Sequence, residues 1–412
     1  MALNFVWIAF FIIGFALGLY KLIFHGDVEI FKKLVDGIFD SAKGAVLDVG
    51  FPLAGTMIFF LGIMNIGEKA GAVNFLARML NPFMKRLFPE VPERHPAMGQ
   101  MVMNFSANML GLDNAATPFG LKAMESLQTL NTKKDTATNA QIMFLVLHTS
   151  GLTLIPLSII AYRLAAGSTD ATSVFIPCVL GTILATLFCI IVTGLYQRLK
   201  FDGVLIAWIA AIFLAVVAFA FLVGTLPADA KFKFTTIAGN LILFLIIIIF
   251  IVGGFVRKVN VFDAFIEGAK NGFDVVLKIL PYLVAMLVAI RVFRDSGALD
   301  FVIQGLSTLI GALGFNTDFV PALPVAIMRP FSGAGSRGLM LDIFKNPLYG
   351  PDSFVGKMAS TLMGSADTTF YILALYFGSV GIKKVRYAVW AGLLADFLGV
   401  IAAIIIGYLF YK

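Results

Sequence analysis

The sequence is poor in the residues that most soluble functions need. Charged side chains fill only 13% of its 412 positions, about half the share of an ordinary soluble domain. Cysteine occurs twice, at Cys178 and Cys189, and histidine three times, at His25, His95 and His148. Both cysteines fall in one apolar run and the histidines are scattered, so neither a disulfide framework nor a Cys/His metal centre organises the chain. The phosphate-binding loop G-x-x-x-x-G-K-S/T is absent, and ATP-driven work by this chain alone is not expected. There is no low-complexity stretch and no long polar linker. The opening residues MALNFVW lack the positive start of a signal peptide, so the first apolar run is expected to stay as a membrane span.

The net charge of +7 does not point to nucleic acid. The basic residues stand singly or in pairs, such as Lys32-Lys33 and Arg257-Lys258. They flank apolar runs, where they anchor helix ends at lipid headgroups.

What is abundant is apolar surface, 59% of all residues. Runs at 5–20, 175–195, 204–226, 237–256 and 388–410 approach or reach the roughly 20 residues that cross a bilayer. The expected fold class is an all-α polytopic membrane protein. Segments 28–46, 73–88, 261–275 and 299–313 mix apolar and charged residues at helical spacing, which predicts helices lying in the membrane interface.

An internal repeat runs through the chain. FKKLVDG at 31–37 aligns with FDAFIEG at 262–268, and AGAVNFLARML at 70–80 with SGALDFVIQGL at 296–306. FGLKAM at 119–124 aligns with RGLMLD at 337–342, and LHTSGLT at 147–153 with LMGSADT at 362–368. The order is the same in both halves. The expected domains are a first repeat at 1–200, a connecting helix at 201–234 and a second repeat at 235–412. If the first broken segment of each half is a re-entrant hairpin, an odd number of crossings precedes the second half and the repeats are inverted. If the hairpins cross fully, the repeats are parallel.

Four segments interrupt the apolar pattern: NFSANMLGLDNAATPFG (104–120), HTSGLTLIP (148–156), RPFSGAGSRGLMLD (329–342) and GSADTTFY (364–371). Non-helical backbone at membrane depth survives only where it is buried in protein or lines a watery cavity. Matching breaks in two halves point to a transporter's binding site. The candidate solute contacts are therefore Asn108, Asp113, Asn114, Thr117, His148, Ser150, Arg329, Ser332, Ser336 and Arg337. Ser365, Asp367, Thr368 and Thr369 are candidates for a coupling ion or proton, since a buried carboxylate beside hydroxyls suits either. Each has a plainer alternative. Asp113 and Asp367 would serve as helix caps, His148 as a structural hydrogen-bonder, and Arg337 as a partner of Asp342 or Asp113.

At these residues the chain resembles known families. NMLGLDNAATPFGLKAM (108–124) and LHTSG (147–151) resemble spore maturation protein A. RPFSGAGSRGLMLDIF (329–344), YGPDSFVGKMASTLMGSADTTFY (349–371) and YFGSVGIKKVRYA (376–388) resemble spore maturation protein B. Both belong to the nucleoside recognition, or Gate, group. That group is similar to the hairpin cores of concentrative nucleoside transporters and to the Gate regions of ferrous iron transporters. The resemblance implies a fusion of two paired proteins and makes a homo-oligomer reasonable.

The expected function is a secondary transporter in the bacterial cytoplasmic membrane. It would carry a small polar, anionic or nucleoside-like solute between two hairpin tips meeting at the midplane. No cofactor is implied beyond a coupling Na+ or H+, and the partners are membrane lipid and the solute. The alternatives are a lipid or polyprenyl-phosphate flippase and a non-transporting scaffold. Ser332 in FSGAG faintly resembles an intramembrane nucleophile, but no activating carboxylate accompanies it, and the chain is not expected to be an enzyme.

Overall fold

The computed structural model describes residues 2–92 and 94–412; the side chains of Ala2, Leu3, Asp113, Asn114, Ala115 and Ala228 fall outside that description. The described residues are almost entirely helical. Seven of their helices are long and apolar enough to cross a membrane: Asn4–His25, Ile30–Lys69, Ala171–Gln197, Gly203–Gly224, Asp229–Val256, Val261–Asp295 and Ala388–Tyr411. The chain is built as a multi-pass membrane protein.

The helix order of the first half recurs in the second. Ala2–His25 corresponds to Ala228–Val256, and the continuous helix Ile30–Lys69 to Val261–Asp295. Ala72–Leu87 then matches Ala298–Ala312, and the pair Pro96–Met109 and Asp113–Leu130 matches Leu323–Met328 and Gly333–Lys345. Asn139–Thr149 and Leu157–Ala165 match Phe354–Gly364 and Thr369–Ser379, and Phe175–Gln197 matches Ala388–Tyr411. Gly203–Gly224 has no counterpart. Local geometry repeats as well. Gly71 (φ 90°) and Gly297 (φ 88°) both turn the chain into the next helix through the left-handed region, which glycine enters without steric cost.

Two of the expected interfacial helices are not separate. Segment 28–46 runs on through a π-helical turn, Ala45–Gly50, into Phe51–Lys69. The wider turn lies just before Pro52, whose missing N–H cannot close an α-helical bond. Segment 261–275 likewise continues through Pro281 to Asp295. The two polar, amphipathic stretches are the first turns of spans, and hydropathy cannot mark a boundary where the backbone has none.

The chain forms two compact units, each drawing on both halves. Unit 1 comprises Met1–Phe60, Ser158–Ala171 and Ala269–Met363; unit 2 comprises Leu61–Leu157, Thr172–Gly268 and Gly364–Lys412. The chain changes unit at 60/61, 157/158, 171/172, 268/269 and 363/364, and the passages at 157/158 and 363/364 lie beside the second break of each half.

In unit 1, the first span docks on the helix Val261–Asp295. Phe10 stacks on Phe293 with ring centroids 4.5 Å apart, and the Trp7 indole N–H donates to the Ala285 carbonyl at 3.1 Å. In unit 2, Phe175–Gln197 and Ala388–Tyr411 pack antiparallel. Ala185 lies against Gly399, where an added Cβ would come within 3.0 Å of the Ala185 Cβ, and Tyr196 stacks on Tyr387. Small residues at such a contact let two backbones approach closely, the usual source of helix association in lipid.

Candidate functional site

Unit 2 gathers the polar residues of the first hairpin around one histidine. The two arms are Pro96–Met109 and Asp113–Leu130, turned by Gly111 at φ 72°. Asn104 and Asn108, one helical turn apart, share a face. The Asn104 amide donates to the Ala116 carbonyl on the opposite arm at 2.7 Å. His148 ends the helix Asn139–Thr149 and is buried. Its Nδ1 lies 3.0 Å from Asn104 Oδ1 and 3.0 Å from Asn108 Nδ2. Tyr376, from the helix Thr369–Ser379, presents its ring edge to the imidazole at 5.1 Å. Its hydroxyl hydrogen-bonds Thr117 and Asn104.

That arrangement needs Gly120. A Cβ there would meet the Tyr376 hydroxyl at 2.6 Å and the Asn104 amide nitrogen at 2.8 Å. Only a hydrogen side chain leaves room for both.

The two later breaks meet beside this cluster. The Asp367 N–H donates to the Thr149 carbonyl at 2.9 Å. Gly151, at φ 63°, brings its backbone so close that a Cβ would sit 3.1 Å from the Ala366 carbonyl carbon. Interrupted backbone from one half thus satisfies interrupted backbone from the other, as burial away from water requires. Asp367 Oδ1 accepts the Thr368 N–H at 2.7 Å. Thr369 donates to Asp396 Oδ2 at 2.5 Å. Ser150 donates to the Leu147 carbonyl and lies 2.9 Å from the Thr186 hydroxyl. Ser365 is fully buried, with its Cβ facing Gly181.

Unit 1 holds the second hairpin and handles its polar groups differently. Ser332 caps the helix Gly333–Lys345, accepting the Gly335 N–H at 2.9 Å. Ser336 is buried and donates to the Val325 carbonyl on the other arm at 2.7 Å, with Met363 Sδ at 3.1 Å. Arg329 is partly buried at the end of Leu323–Met328. Arg337 does not pair with Asp342, one of the two partners the sequence offered it. Asp342 is paired with Arg294 instead. The Arg337 guanidinium lies over the Tyr162 ring, 5.2 Å from its centroid, and its Nε is buried without a hydrogen-bond partner among the described residues. The tip residues Asp113 and Asn114 lie outside the described side chains.

Tyr162 and Tyr376 both follow a break, and each helix ends at a left-handed glycine, Gly167 (φ 76°) and Gly381 (φ 73°). Each tyrosine packs on the hairpin of the opposite half, Tyr162 on Arg337 and Tyr376 at Gly120. Close by in unit 1, Arg163 is completely buried. It donates to the Ala171, Asp170 and Pro351 carbonyls and to Asp352 Oδ1 at 2.8 Å. Burial opposes ionisation of Asp352, but hydrogen bonds from Ser168 and Thr169 and the Arg163 charge outweigh it and hold the carboxyl below its ordinary value.

The sequence pattern singled out neither Asn104, Tyr376, Arg163 nor Asp396. Asp396 was readable in principle, as the one charged residue in the apolar helix Ala388–Tyr411, where a carboxylate is costly. Asn104 was readable from its one-turn spacing to Asn108.

Comparison with known proteins agrees with this plan. The family described as nucleoside recognition (Gate) matches residues 51–169 and 276–383, the stretches that carry both hairpins and all four breaks. Spore maturation protein B of Bacillus subtilis (strain 168) is 49% identical over 153 residues, covering 37% of this chain and 83% of that protein. Spore maturation protein A of the same organism is 37% identical over 201 residues, covering 48% of this chain and 98% of that protein. No solved structure matches the chain significantly. With its repeated hairpins and breaks, the chain belongs to the nucleoside recognition (Gate) family and joins in one polypeptide regions homologous to spore maturation proteins A and B.

Proposed function

We propose that the protein is a secondary transporter of the bacterial cytoplasmic membrane and that a small polar solute contacts the cluster around His148. One observation carries the reading. Two helix breaks from different halves bond to each other beside a buried set of amide, imidazole, phenol and hydroxyl groups. Polar groups of this kind are costly at membrane depth and are retained where they line a solute path. Asn104, Asn108, Thr117, His148 and Tyr376 offer donors and acceptors without a fixed charge, which suits a neutral, hydrogen-bonding solute of the nucleoside class better than an anion. Arg329 and Arg337 belong to unit 1 and would suit an anion instead. Ser365, Asp367, Thr368 and Thr369 lie in the break 364–371 and are the candidates for a coupling proton or sodium ion.

We further infer that the halves are inverted repeats divided as 1–200, 201–234 and 235–412. The matching helix order and the single unmatched span Gly203–Gly224 support this. The odd helix is what turns a second copy over. We read the protein as non-enzymatic. Ser332, the one serine in a nucleophile-like setting, has its hydroxyl engaged as a helix cap.

Proteoliposomes loaded with a bacterial metabolite extract test the reading. Under an imposed proton or sodium gradient, wild type should deplete or exchange a polar solute that protein-free liposomes and the Asn104→Ala/His148→Ala variant retain. Equal solute profiles for all three would overturn it.

A further inference from the structure

A cavity of about 270 Å³ opens in unit 2, apart from the cluster around His148. Its walls come from the end of the helix Ala72–Leu87, the start of Asn139–Thr149 and the end of Phe175–Gln197. Three cations, Arg86, Arg198 and Lys200, line it against one carboxylate, Glu90.

The cations are not equivalent. Arg86 is committed, donating to Asp202 at 3.1 Å and to the Pro82 carbonyl. Arg198 and Lys200 are exposed and make no ion pair among the described residues. Arg198 also occupies a left-handed position, φ 52°, closing the helix Phe175–Gln197. Glycine is the usual residue there, so a long cationic side chain is kept against a conformational cost.

The cavity's depth follows from the chain. The span Ala171–Gln197 ends at it and Gly203–Gly224 begins five residues beyond Arg198, with Asp202 capping the new helix through the Leu205 N–H at 2.7 Å. The linker therefore lies at a membrane surface. Tyr196 and Tyr387 stack beside it, ring centroids 5.2 Å apart and nearly parallel, at the level where tyrosine favours the interface. On the membrane side, Leu195 (67% exposed) and Val204 (45% exposed) present apolar surface.

We propose that this cavity seats the phosphate of an anionic phospholipid, held by Arg198 and Lys200, with the acyl chains lying along the apolar surface at Leu195 and Val204. A basic pocket at helix ends attracts any phosphate. The adjoining apolar surface is what favours a lipid over a soluble anion. The proposal is independent of what the protein transports.

Native mass spectrometry of the detergent-purified full chain tests it, with phosphatidylglycerol, phosphatidylcholine and inorganic phosphate as probes. Wild type should retain phosphatidylglycerol in preference to phosphatidylcholine. The double variant Arg198→Ala/Lys200→Ala should bind phosphatidylglycerol about tenfold to thirtyfold more weakly. Arg198→Lys/Lys200→Arg should bind as wild type does. Unchanged melting of the lipid-free variants would separate lost binding from lost folding. Equal retention of the two lipids, unchanged phosphatidylglycerol binding by the alanine variant, or inorganic phosphate displacing phosphatidylglycerol at equal concentration would each overturn it.

Discussion

The two hairpins share a plan and differ in chemistry. The buried cluster around the unit 2 hairpin has no fixed charge: two asparagines, a histidine and a tyrosine hydroxyl. The hairpin in unit 1 lies among arginines, with Arg337 over a tyrosine ring, Arg294 on Asp342, and Arg163 tying two loops together. A duplicated scaffold has kept its backbone and divided its side-chain work. Uncharged groups can rearrange their hydrogen bonds around a visitor at modest cost. Buried ion pairs hold one geometry and are expensive to break.

That division predicts an order of mutational effects. Arg163→Ala removes the centre of the unit 1 network and leaves Asp352 without its cation. It should destabilise by about 3–5 kcal/mol, read as a large fall in melting temperature in detergent; a small fall would mean that unit 1 is not braced by charge.

Next come the repeat-equivalent glycines. Gly120→Ala drives a methyl into the Tyr376 hydroxyl and the Asn104 amide and should cost about 1–3 kcal/mol. Gly338→Ala meets mainly the end of Ile290, at 2.8 Å, and a flexible side chain can yield, so its cost should be smaller. Equal losses would erase the contrast between the hairpins.

His148→Ala removes the imidazole partner of Asn104 Oδ1 or Asn108 Nδ2, whichever its Nδ1 bonds, at about 1–3 kcal/mol. Its loss of solute exchange should exceed what that destabilisation explains, and His148→Gln should recover stability more than exchange. In unit 1, Arg337→Met removes a cation–π contact and should cost only about 0.5–2 kcal/mol.

The smallest effect is one of pH. The folded-state carboxyl of Asp352 titrates below its unfolded value, so its contribution is fully present above the unfolded value, about 3.9. It is lost as pH falls through the lower, folded-state value. Melting curves of wild type should therefore lose stability in strong acid, and Asp352→Asn should flatten that part of the profile.

Much of this was legible in the sequence because it is local. Apolar runs mark the spans, and the repeat can be followed through pairs such as Gly71 and Gly297, whose φ angles agree within 2°. The breaks at 104–120, 148–156, 329–342 and 364–371 were marked by small and polar residues. What stayed hidden depends on contacts between distant segments. Nothing adjacent to Tyr376 announces that it reaches Gly120, and nothing near Arg163 announces Asp352. The pairing of Asp342 with Arg294 in place of Arg337 is of the same kind: sequence shows which charges need partners, and the fold chooses among them. The long helices were missed for the opposite reason, since a polar first turn and a proline imitate a boundary that the backbone runs through.

The passage of the chain from one unit to the other at 157/158 and 363/364 bears on how the protein is made. Neither half of the sequence owns a finished unit, so the first half to leave the ribosome must wait, with its polar cluster lacking Tyr376 and Asp367, until the second is synthesised. Covalent linkage guarantees one copy of each half and keeps them within a tether's reach. It replaces a search through the bilayer for a mate with an intramolecular closure.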